Sequence, residues 1–64
     1  MDKVIREKVR PVLIKAWRGD WPTADEFIAL SELVDMKALV EVLSLLNDRE
    51  ITVNEAEEEL VKAK

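Results

Sequence analysis

Hydrophobic residues recur along this chain at helical rather than strand spacing. Ile5, Val9, Val12, Leu13 and Ala16 share one face of a helix predicted over residues 2–18. Pro11 interrupts that segment: it has no N–H for the carbonyl of Glu7, and its ring crowds that carbonyl. A kink or break near Pro11 is therefore expected, the second half starting with Pro11 in its first turn. Gly19 follows as a left-handed C-cap, with Arg18 favourable in the last turn. Trp21-Pro22 is a linker, and Thr23 with Glu26 three residues on is a capping box.

Helices 2 and 3 occupy residues about 24–46. Phe27, Leu30 and Val34 form the apolar stripe of helix 2, with Ile28 and Leu33 at its flanks. Asp35 can cap a third helix from Met36 to Leu46. No Gly or Pro forces a break, so one continuous helix is the alternative to a break at Val34-Asp35. Asn47-Asp48-Arg49-Glu50 is a turn, and Thr52 with Glu55 repeats the capping box. The last helix covers about 53–63, with Val53, Ala56 and Leu60 inward and Glu57-Glu58-Glu59 as a solvated face. The pattern predicts one all-α domain over residues 1–64, a small bundle of three to four short helices.

Helix 3 is the unusual one. From Met36 to Leu46 its only polar residues are Lys37, Glu41 and Ser44, on one narrow stripe. A surface helix normally buries an apolar stripe of somewhat over 100°; this one is apolar over more than half its circumference. A chain of 64 residues buries only about 60% of its unfolded surface. The surplus predicts a contact built from helices 2 and 3, centred on Leu39, Val40, Leu43 and Leu46. The alternative is a monomeric bundle that wraps helix 3 by itself.

Charge adds a second expectation. Residues 1–18 carry six cationic and two anionic side chains, and residues 19–64 four and twelve, for a net −4. A basic first helix thus precedes an acidic remainder. Either helix 1 lies on the acidic body, or it meets an acidic partner or a phosphate backbone through Lys3, Arg6 and Arg10. Ile14 and Trp17 fall outside the main apolar face of helix 1 beside these cations, and an aromatic flanked by Arg resembles an interface anchor. Trp17 packing on Trp21 across the Gly19 turn is the structural alternative.

Several chemistries find no support. The chain has no Cys and no His, which removes the usual nucleophile–base pairs and the commonest metal ligands. No Gly-rich phosphate loop exists, and the two Thr serve as caps. No catalytic residue, cofactor, metal or small-molecule substrate is expected. No apolar run approaches the roughly 18 residues that span a bilayer, and the N-terminal residues interleave charge with apolar side chains, unlike a signal peptide. A cytoplasmic protein without membrane contact is the expectation. The lack of Cys, Gln and His beside abundant Glu, Lys and Val points toward a heat-adapted source.

Two stretches bear resemblances. Thr23-Ala24-Asp25-Glu26-Phe27 through Val42-Leu43-Ser44-Leu45-Leu46 resembles the helix-turn-helix core of winged-helix DNA-binding proteins, with Ile51-Thr52-Val53 in place of the strand that follows. It departs from them in offering only Lys37 as a cation on the would-be recognition helix. Leu45 through Ala56 resembles the helical hairpin of SHOCT-type segments, where a leucine helix meets an Ile-Thr-x-x-Glu cap. The function expected from the residues is a small protein–protein interaction module, a homodimer or an accessory subunit of a larger assembly. The alternative is a helix-turn-helix-like nucleic-acid binder using the basic helix 1.

Overall fold

Four helices account for most of the chain: α1 Asp2–Trp17, α2 Ala24–Ser31, α3 Met36–Asn47 and α4 Val53–Lys62. They are taken from a computed structural model that describes residues 2–63. α1 and α3 form a central pair. α2 and α4 each pack on both of them and make no close approach to each other.

The local chemistry of the caps explains the boundaries. Thr23 accepts the amide of Glu26 at 3.2 Å while the Glu26 carboxylate accepts the amide of Thr23 at 2.8 Å. Thr52 and Glu55 make the same reciprocal pair. Asp35 accepts the amide of Ala38 at 3.0 Å and starts α3, so residues 32–34 separate two helices, as the break expected at Val34-Asp35 requires. At the other ends, α1 and α3 both close with the six-to-one and five-to-two hydrogen bonds of a Schellman turn: Asp20 to Lys15 and Gly19 to Ala16, then Glu50 to Leu45 and Arg49 to Leu46. The left-handed position is Gly19 (φ +94) in the first and Arg49 (φ +59) in the second.

Two expectations change. Of the kink or break expected near Pro11, the break does not occur: α1 is one helix from Asp2 to Trp17. Glu7 and Pro11 are both exposed, so the carbonyl left without an amide partner lies on the wet side. The buried face runs through the proline: Ile5 and Val9 before it, Val12, Leu13 and Ala16 after it. Burying such side chains contributes about 1.5–3 kcal/mol each, more in sum than the roughly 3 kcal/mol that an internal proline costs. Second, Ile51-Thr52-Val53 is no strand; it is a bend, an N-cap and the first residue of α4, and no strand occurs among the described residues.

All five residues assigned to the inner face of α1 are buried. They meet Leu30 and Val34, then Leu39, Val42, Leu43 and Leu46 of α3, and Ala56, Leu60 and Val61 of α4, in one core. The surface area of 4144 Å² matches the about 4200 Å² expected of a folded monomer of this mass. The radius of gyration, 10.1 Å, is no larger than the about 11 Å of a compact chain of this length.

Candidate interaction surface

The structure divides the residues nominated for a contact. Leu39, Leu43 and Leu46 are fully buried, each 0% exposed, and cannot reach a partner. Their surplus of apolar surface is covered from within, because α3 has α1, α2 and α4 all packed against it. Of that cluster only Val40 faces outward, 45% exposed. The ground for a contact centred on the three leucines is gone. Ile14 is exposed at 37%. Trp17 is half-buried against the core, and the Arg49 guanidinium stands 5.1 Å from its ring centroid. That cation–π contact joins the C-terminal ends of α1 and α3.

Arg6 and Arg10 are engaged within the bundle itself, at the edge of the contact between α1 and α4. Arg6 Nη1 donates to Glu57 Oε2 at 2.8 Å, and Arg10 Nη1 donates to Glu57 Oε1 at 2.9 Å. Arg10 Nη2 also donates to Asn54 Oδ1 at 3.2 Å. Arg6 Nη1 lies 2.7 Å from Glu58 Oε1, and this hydrogen bond holds the Glu58 carboxyl below the usual carboxylate range. The same bond, then that to Glu57, makes Arg6 harder still to deprotonate. Helix 1 thus lies on the acidic body, the first of the two alternatives. Glu57 is therefore not part of a solvated face: it is 7% exposed, the one buried charged residue among those described, and both its oxygens are satisfied. Lys3 remains exposed on α1.

A different surface emerges between α3 and α4. Ala38, Val42, Leu45 and Ile51 floor a groove of about 290 Å³ whose rim is Glu41, Glu55 and Glu59. It adjoins a shallower depression on the outer side of α3, which shares Glu41 and Leu45 and adds Lys37, Val40 and Ser44. Leu45 and Ile51 are half-buried. Ile51 precedes the N-cap Thr52 and occupies the staple position of α4, which draws an apolar side chain to the helix entrance. The sequence contained that signal, because capping box and preceding isoleucine are both legible. It did not reveal that Leu45 would meet Ile51 at one depression, since that depends on how α4 folds back on α3.

A second groove, about 410 Å³, separates α1 from α2 and is lined by Lys8, Pro11, Val12, Glu26, Ala29, Leu30, Glu32 and Leu33. Its rim carries both signs of charge. Lys15 Nζ donates to Glu26 Oε1 at 3.0 Å; with the Thr23 amide, which is the larger influence, it holds the Glu26 carboxyl below its usual range. Among the described residues no group of three or more carboxylates is placed to hold a metal ion, and no helix is long and apolar enough to cross a membrane. Compared with family models, with curated proteins and with solved structures, the chain finds no match in any of the three.

Proposed function

We propose that this chain is a protein–protein interaction module that works as an accessory subunit, docking a segment of another protein in the groove between α3 and α4. One observation carries the reading. Leu45, Ile51 and Val40 keep apolar surface in contact with water along adjoining depressions, although Leu39, Val42, Leu43 and Leu46 of the same helix are sealed within the bundle. A groove with apolar floor and polar rim is the usual form of a helix- or peptide-docking site.

The homodimer is the weaker form of this reading. A two-fold interface sets the same patch against itself, which here would bring two rims of Glu41, Glu55 and Glu59 together. The nucleic-acid alternative loses its two arginines to Glu57 and Glu58. Phosphate binding relies on clustered free cations, and the groove presents carboxylates.

The test is site-specific photo-crosslinking in the native host, with a benzophenone side chain placed in turn at Val40, at Glu59 and, as a control, at Lys8. The expected result is one discrete adduct with a larger protein from the first two positions and none from Lys8. Adducts of twice the chain's own mass, adducts with nucleic acid, or none specific to the groove would each overturn the accessory-subunit reading.

A further inference from the structure

We infer that the occupant of the α3–α4 groove is an amphipathic helix of a partner protein that sets lysine or arginine beside its apolar anchors; this rests on the interaction-module reading and specifies the ligand's chemistry. The charge layout supports it. Glu41 stands on one wall of the groove and Glu55 and Glu59 on the other, with no cation among the residues lining the inner depression. Lys37 lies at the outer depression.

These carboxylates differ from the two others at the middle of α4. Glu57 and Glu58 are engaged by Arg6 and Arg10. Glu41, Glu55 and Glu59 have no ion-pair partner among the described residues, and all three are exposed. Glu55 gives one oxygen to the Thr52 amide, 2.9 Å away, and its charge remains at the rim. Glu55 and Glu59 are one helical turn apart, about 6 Å along the axis, and like charges at that spacing repel. The free domain therefore holds an unfavourable pair that a cationic ligand relieves.

The spacing specifies the ligand further. α4 is 10 residues long, about 15 Å, so about three turns of a ligand helix fit alongside it. Cations one turn apart on the flank facing α4 would meet Glu55 and Glu59, and a cation on the opposite flank would meet Glu41. Apolar residues between the flanks would lie over Leu45 and Ile51. Charge of this kind steers encounter and selects among partners more than it adds affinity.

The experiment titrates three synthetic helical peptides into the isotope-labelled full chain, followed by amide chemical shifts. One has a leucine face flanked by lysines, one has glutamate in place of each lysine, and one has the lysine composition scrambled so that no apolar face forms. The lysine-flanked peptide is expected to shift residues 38–45 and 51–59 and leave 3–14 unmoved. It should bind on the order of tenfold more tightly than the other two at about 50 mM salt, with the difference shrinking as salt rises. The double variant E41K/E59K should lose on the order of tenfold in affinity. Its melting temperature should hold, because relief of the Glu55–Glu59 repulsion offsets the repulsion between Lys37 and the cation introduced at position 41. That combination separates a binding role from a structural one. Equal binding of the glutamate peptide, equal binding of the scrambled peptide, or shifts confined to α1 would each overturn the inference. If those results come with a groove-specific crosslinked adduct, the ligand chemistry is wrong and the docking role stands. If no adduct forms either, both fall.

Discussion

The two helices that flank the central pair are held in very different ways. α4 buries Ala56, Glu57, Leu60 and Val61, and ties itself to α1 through the Arg6–Glu57–Arg10 cluster. α2 buries Leu30 alone within its eight residues, with Phe27 half-covered and Ile28 61% exposed. Its ion pair to α1 is Lys15–Glu26, between two partly exposed side chains. Both helices begin with the same capping box, so the difference is not one of local propensity. It lies in how much of each helix the central pair covers, since both touch α1 and α3 but α4 buries four side chains there and α2 one. α4 and the central pair frame the groove, and α2, with less buried, is the element expected to open first.

Core truncation should break this comparison most visibly. Leu60→Ala in α4 is expected to cost about 3–5 kcal/mol of global stability, and Leu30→Ala in α2 about 2 kcal/mol, because the loosely held helix can settle into the gap. Urea denaturation measures both, and equal losses would show that the two sides are equally rigid.

Glu57→Ala comes next. It leaves two arginine side chains without their shared acceptor and should cost about 1–3 kcal/mol. Because both lost bonds lie between α1 and α4, amide exchange should quicken across residues 53–62 and leave α2 unchanged.

The caps sharpen the contrast. Thr52→Ala should lower global stability by about 1 kcal/mol. Thr23→Ala removes the same bond from a helix that opens by itself, so the effect should be confined to faster exchange at residues 24–31. A global loss as large as that of Thr52→Ala would place α2 within the cooperative unit.

Acid should touch both sides. Glu58 and Glu26 titrate lower in the folded chain than the ordinary value of 4.5. A depressed carboxyl stabilises the fold above its unfolded pKa and loses that contribution as pH falls through its folded value. The melting temperature should therefore be flat between about pH 7 and pH 5 and decline below about 4.5. Glu58→Gln should shallow that decline, while Glu26→Gln should change only the exchange of α2.

The smallest effect is expected at Arg49→Gly. Glycine relieves the left-handed backbone by about 1 kcal/mol, and the lost contact with Trp17 removes about 0.5–1 kcal/mol. The melting temperature should scarcely move while the tryptophan emission shifts. A loss above about 1.5 kcal/mol would mean that the cation–π contact is a principal tie between α1 and α3.

The amino-acid sequence alone determined where the helices begin and where α1 ends, and it left open whether α2 and α3 are separate. Thr23, Asp35, Thr52 and Gly19 act on amides and carbonyls a few residues away, and the inner face of α1 follows from its periodicity, as Ala56 and Leu60 of α4 do. Tertiary structure decided everything that depends on who lies beside whom. It drew Glu57 out of an apparent solvent face, since two arginines some fifty positions earlier in the chain (47 and 51 residues away) wait on α1. It carried α1 through Pro11, since core contacts on both sides of the ring outweigh one missing hydrogen bond. And it sealed Leu39, Leu43 and Leu46 while leaving Leu45 and Ile51 in a groove, since burial belongs to the whole arrangement of neighbours and no single helix's pattern contains it.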